Sequence, residues 1–163
     1  MRILTLLAAA ALAAPAPALP SSLPAQRELS SQVAEYVAVN AEYVALTGVT
    51  VIDGTGAEPV PGQTVLIHGN RIAAVGPVGD IEVPEGAEVL DLPGHTVIPG
   101  LVGLHDHSYY TTSRRSVQAS YTGPRLYLGS GVTTIRTTGS QFPYAELNLK
   151  QAIDAGSVPG PRM

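Results

Sequence analysis

The distribution of hydrophobic and polar positions divides the chain into stretches of different character. After Arg2 an apolar run, with Thr5 its one polar residue, extends from Ile3 to Ala14 and passes into the small-residue stretch Ala14-Pro15-Ala16-Pro17-Ala18. A charged residue, an apolar run and an Ala-x-Ala site form the layout of a secretory signal peptide, so residues 1–18 are expected to be cleaved and are set aside from the fold. Residues 19–43 are small and polar and read as a linker, with room for a short helix around Ser30 to Val39. From Val44 the pattern becomes that of strands. Val44, Leu46, Val49, Val51 and Ile52 end at the turn cluster Asp53-Gly54-Thr55-Gly56. Thr64 to Ile67 and Arg71 to Val75 flank His68-Gly69-Asn70, where Gly69 and Asn70 tolerate the positive φ of a tight hairpin. Glu88 to Leu92 and Thr96 to Ile98 read as a second hairpin around Pro93-Gly94. Residues 44–99 are therefore expected to form a small antiparallel β module.

Beyond Pro99-Gly100 the period changes. Leu101-Val102-Gly103-Leu104 is a continuous apolar run, as expected of a strand buried on both faces in a parallel sheet. A helix is predicted from Arg115 to Leu128, interrupted by Gly123-Pro124, followed by a second buried strand, Gly131 to Arg136. Tyr144 to Ala155 is the clearest helix, with Gly156 at its C-terminal cap. Strand, helix, strand, helix is the order of a parallel α/β structure.

Composition narrows the chemistry. The 163 residues are 45% hydrophobic and 13% charged, which suits a globular chain. A net charge of -4 without a basic stripe excludes nucleic acid as an expected partner. The leading apolar run falls short of the roughly 20 residues that span a bilayer, and no later run is a better candidate, so no membrane association is expected after signal cleavage. The protein is expected to be secreted or periplasmic. Without cysteine there are no disulfides and no thiolate ligand or nucleophile; His, carboxylates, hydroxyls and Lys remain.

The informative motif is Leu104-His105-Asp106-His107. Alternate side chains of a strand share a face, so His105 and His107 project together while Asp106 points to the other side. Two imidazoles on one face can share a cation, and nitrogen donors suit Zn or another late first-row divalent ion. Tyr109 and Tyr110 follow the pair and are candidates for lining a substrate pocket. Asp106 is a candidate outer acceptor. His68 and His95, in or beside turns, read as solvated residues without a chemical role, Asp53 as a turn residue, and Arg114-Arg115 as a solvated helix start.

The segment Asp91-Leu92-Pro93-Gly94-His95-Thr96-Val97-Ile98-Pro99-Gly100-Leu101-Val102-Gly103-Leu104-His105-Asp106-His107 is similar to the approach to the first barrel strand in the amidohydrolase superfamily, which passes through a Pro-Gly-Leu turn into a metal-binding HxH. Val51 to Gly56 resembles the family's first sandwich strand and turn, and Asn70 to Gly76 its hairpin. Gly131 to Arg136 resembles the second barrel strand, and Ala155 to Arg162 the approach to the third, especially in the imidazolonepropionase-like and prolidase-like branch. The resemblance covers about Val44 to Met163. It implies an α/β fold in which a small β-sandwich portion (44–99) precedes the first βα units (100–163) of a (β/α)₈ barrel.

The activity it implies is hydrolysis of an amide, cyclic amide or dipeptide C–N bond by a metal-activated water. His105 and His107 would be ligands of one or two divalent ions, most simply Zn. The remaining ligands and the catalytic base would come from later strands, so this stretch is expected to be inactive by itself. Where relatives often carry an Asp after the second-strand Arg, this chain has Arg136-Thr137-Thr138-Gly139. A competing account is a catalytically inactive secreted remnant or binding module.

Overall fold

The computed structural model describes residues 28–111 and 113–163. The signal segment expected at 1–18 lies outside these residues. Three strands form an antiparallel meander: β1 (Tyr43–Val51), β2 (Val60–His68) and β3 (Arg71–Pro77), with Ala45 opposite Leu66 and Val65 opposite Val75. The expected two-residue turn joins β2 to β3, with His68 facing Arg71. Gly69 takes a positive φ of 57°, whereas Asn70 does not.

The second predicted hairpin is not formed. β4 (Glu88–Asp91) and β5 (Thr96–Val97) pair in succession with the same edge of β1, both parallel to it, Thr47 facing Asp91 and Thr50 facing Thr96. The module is thus a mixed five-stranded sheet, ordered β3-β2-β1-β4 with β5 also on β1. The reason lies in β1. Gly48, at φ 72°, breaks the regular course of the strand, and the pairing with β2 slips between Leu46 and Val49. Pro93 lies against Gly48 and has no N–H to give the ladder. The chain therefore loops out over residues 92–95, held by Leu92 N–H to the Thr47 carbonyl (2.9 Å) and Thr50 N–H to the His95 carbonyl (2.9 Å), and then rejoins the edge.

Ala45, Val49, Val65 and Leu66 are the buried apolar residues of this sheet. On one side it keeps an apolar cleft of about 400 Å³, whose walls include Val51, Ile52, Val60, Val65, Ile72 and Val75. At the turn after β1 both the Thr55 N–H (2.9 Å) and the Thr55 hydroxyl (2.7 Å) donate to Asp53 Oδ1, the local bonding that makes Asp a turn residue.

Past Pro99-Gly100 the predicted parallel pair is present: β6 (Leu101–Asp106) lies beside β9 (Val132–Thr137). The connection differs from the expected long helix. Tyr109–Thr111 (β7) and Ser116–Gln118 (β8) form an antiparallel pair, and the helix α2 is only Thr122–Gly129. Pro124 fixes that start, because proline is tolerated in a first helical turn, where N–H groups have no partner within the helix. The Thr111 and Ser116 hydroxyls bond across the strand pair at 3.0 Å. Helix α3 (Pro143–Asp154) matches its prediction, and Gly156 follows it. The chain then returns to the sheet, with Arg162 in a parallel bridge to Thr134. The strand order is therefore β6, β9, then the Arg162 segment, a parallel α/β progression.

Burial of β6 on both faces is not observed. Leu101, Val102 and Leu104 are 51%, 57% and 68% exposed. Among the described residues β6 pairs with β9 alone, and α2 packs against β9. Ile135, Leu149 and Ala119 are buried in this half, together with Pro124, Pro159 and Pro161. The segment before β1, expected to be a linker, contains a single-turn helix, α1 (Ser31–Ala34), and docks on the α/β half. Ser30 N–H donates to the Gly156 carbonyl (3.1 Å), Ser30 Oγ to the Ser157 carbonyl (3.0 Å), and Arg125 to the Tyr36 hydroxyl (2.8 Å).

Candidate metal centre

The end of β6 brings the two motif histidines together. Their rings stand edge to face with centroids 5.3 Å apart. Two imidazoles bound to one tetrahedral ion through N–metal bonds of about 2 Å have centroids about 5 Å apart, so this spacing suits a shared cation. His105 is exposed and His107 half-buried. Among the described residues, His107 Nδ1 and Asp106 Oδ2 are buried and have no hydrogen-bond partner. Orphaned polar atoms in native structures call for an explanation such as an ion or a water. The donor set therefore fits part of a metal shell. Among the described residues no group of three or more His, Asp or Glu side chains converges as a complete one.

The regular course of β6 is interrupted ahead of Asp106. Pairing with β9 is irregular between Gly103 and Asp106, and the Asp106 carboxylate fills the space that a Cβ on Gly103 would need. Nearby, the Tyr127 hydroxyl of α2 donates to the His107 carbonyl at 2.9 Å. Burial, and then the negative charge of Asp106, push the Tyr127 phenol above its ordinary pKa.

Tyr109 and Tyr110 take different positions. The Tyr109 ring leans on His107 (4.8 Å between centroids) and on Phe142 (5.8 Å), while its hydroxyl donates to the Gly139 carbonyl at 3.2 Å. It supports His107 from the side. Tyr110 is exposed beyond the motif. His95 is exposed as expected. His68, in contrast, is stacked on Tyr43 at 4.1 Å and its Nε2 lies 3.1 Å from Glu42 Oε1, so it packs against the sheet and is not simply solvated. The apolar cleft belongs to the five-stranded sheet and includes neither motif histidine.

Directly behind the motif is a polar node that the sequence reading missed. Ser108, Glu146 of α3 and Gln118 of β8 meet there, with Ser108 2% and Glu146 5% exposed. One signal was available: Glu146 stands three residues before the buried Leu149, on the same face of a predicted helix.

No family model matches the chain. Among curated proteins, it is 36% identical to the dihydroorotase of Streptomyces coelicolor over 91 residues, covering 56% of this chain and 20% of that enzyme. It is 36% identical to the imidazolonepropionase of Anaeromyxobacter dehalogenans over 88 residues, 48% of this chain and 21% of the relative. Among solved structures, molinate hydrolase matches with a TM-score of 0.64 and 29% identity over 76% of this chain and 29% of that one. A candidate prolidase from Bifidobacterium longum matches with a TM-score of 0.62 and 32% identity, covering 75% and 29%. The names of these proteins are those of hydrolases acting on C–N bonds. They point to the amidohydrolase superfamily, the match being to a partial, N-terminal region. The chain spans about a fifth of the length of the curated relatives.

Proposed function

We propose that this chain supplies the first two metal ligands, His105 and His107, of an exported hydrolase that cleaves C–N bonds in small amides, cyclic amides or dipeptides. The observation that carries the reading is the pair of imidazoles 5.3 Å apart where β6 ends in a parallel α/β arrangement, the end at which barrel enzymes place their sites. The relatives named dihydroorotase, imidazolonepropionase and prolidase favour this bond class. We further read the five-stranded sheet as part of a β-sandwich, and the β6–β9 pair with its helices as the first units of a (β/α)₈ barrel. A divalent ion, most simply Zn, held there would supply Lewis-acid activation of water and of the scissile carbonyl.

The chain's own residues prepare that centre. His105 and His107 offer lone pairs from one side. The Tyr127 hydroxyl holds the His107 carbonyl, and Tyr109 packs along its ring, which limits rotation of the ligand. We read Tyr110, which is exposed, as a contact for the substrate. Metal analysis of the purified protein, followed by assay against an N-acyl amino acid, an Xaa-Pro dipeptide and a cyclic ureide, tests the reading. For the complete enzyme to which this chain contributes, bound divalent metal and turnover that both disappear in His105→Ala/His107→Ala are expected, and this stretch alone is expected to show no turnover. Metal content and turnover unaffected by the double substitution would refute it. A second reading, a secreted binding module, draws on the open apolar cleft of the sheet and predicts no hydrolysis of any of the three.

A further inference from the structure

The Ser108–Glu146–Gln118 node is too deeply buried to be an incidental surface contact. Ser108 follows His107 directly, and its Oγ donates to Glu146 Oε1 at 2.9 Å while accepting from Gln118 Nε2 at 2.8 Å. The Ser108 N–H reaches the same Glu146 oxygen at 3.4 Å. The bonds have a fixed sense: amide to hydroxyl to carboxylate, with a hydroxyl that both donates and accepts. Three separate parts of the chain, the segment between β6 and β7, the β8 strand and the first turn of α3, are thereby tied at one atom. Burying a carboxylate is unfavourable without compensation, and an apolar side chain would serve plain packing better. The node instead grips the peptide unit between His107 and Ser108 from one end, while Tyr127 holds the His107 carbonyl of that same unit from the other.

We infer that Glu146 is a positioning residue, which acts through Ser108 to fix the backbone and hence the ring direction of His107. The inference rests on the proposed role of His107 as a ligand. Outer partners of metal ligands set ligand orientation, and losing one typically lowers metal affinity about 10- to 100-fold.

The test uses the full-length protein in metal-free form, with the histidine ring Cε1–H signals resolved by NMR and assigned by single His→Gln substitutions. Ser108→Ala deletes one oxygen and Glu146→Ala the carboxylate. Each is expected to shift and broaden or double the His107 signal and to leave the remote His68 and His95 signals in place. Glu146→Gln, which keeps an acceptor for the Ser108 hydroxyl, is expected to return the His107 signal toward that of the unsubstituted protein. If Glu146→Ala does not fold, Ser108→Ala decides alone. An unchanged His107 signal, or equal displacement of His68 and His95, overturns the inference. A Zn titration of the same proteins is expected to show about 10- to 100-fold weaker binding in the variants. Absence of Zn binding by the unsubstituted protein would refute the functional reading, while the metal-free spectra still decide the role of Glu146.

Discussion

Gly100 stands at the joint between the five-stranded sheet and β6, and its replacement by alanine has a calculable consequence. A Cβ there would collide with both Oγ1 and Cγ2 of Thr133 on β9 and would lie 2.9 Å from the Thr133 Cβ. Rotation of the threonine could relieve the first two contacts. It cannot move its own Cβ, so the backbones of β6 and β9 must separate by a few tenths of an ångström at that point. Overpacking of this kind costs about 1–3 kcal/mol, and the exposure of Thr133 places this case toward the lower end. At about 2–4 °C per kcal/mol for a protein of this size, Gly100→Ala should lower Tm by about 2–8 °C. The assay is thermal unfolding by circular dichroism in two backgrounds. Amide exchange of Leu101, whose N–H donates to the Gly131 carbonyl at 2.9 Å, serves as the local probe. Thr133→Ala removes Oγ1 and Cγ2, so the cost of Gly100→Ala should fall there by at least about 0.5 kcal/mol, as coupled neighbours do. Equal losses in the two backgrounds would refute the argument that the strands meet through this contact.

Other consequences are open to single experiments. Leu149, 4% exposed on α3, should cost about 2–5 kcal/mol when truncated to alanine, read from denaturant midpoints. Tyr127→Phe removes the bond to the His107 carbonyl and should cost about 0.5–1.5 kcal/mol, with faster exchange around residues 107–109; an unchanged midpoint contradicts that bond. Asp53 is held below the usual aspartate pKa by the backbone N–H of Thr55 and then by its hydroxyl. Because the folded value is depressed, the stabilisation of this turn is present above the unfolded-state pKa and is lost as pH falls through the folded one. A carboxyl-carbon NMR titration of Asp53 should have its midpoint below that of the unfolded chain, and a midpoint at or above it would contradict the turn geometry.

Much of the local structure was legible because local chemistry decides it. The β-branched runs became β1, β2, β3 and β9, the Gly69-Asn70 turn closed its hairpin, and α3 runs up to the predicted glycine. Strand alternation also brings His105 beside His107. What escaped prediction depends on partners distant in sequence. β4 and β5 look like a hairpin when read in order, yet both find the edge of β1, because Gly48 and Pro93 interrupt the ladder at the same level. The stretch before α2 has helix-compatible residues, but Ser116 to Gln118 pairs with Tyr109 to Thr111. Tyr109 and Ser108 adjoin His107 in sequence, but the groups that hold it from other elements come from positions 118, 127 and 146, outside the motif. The exposure of β6 depends on what packs over it, which its apolar run cannot specify.

The central claim is that His105 and His107 bind one divalent ion together. Zn content per chain, measured by elemental analysis after dialysis of the full-length protein against limiting Zn, tests it most directly when compared with the two single alanine variants and the double variant. The account predicts bound Zn in the unsubstituted protein, a clear loss in each single variant and at least about a tenfold loss of affinity in the double variant, without loss of fold. Zn retained at the same stoichiometry and affinity by His105→Ala/His107→Ala would contradict it.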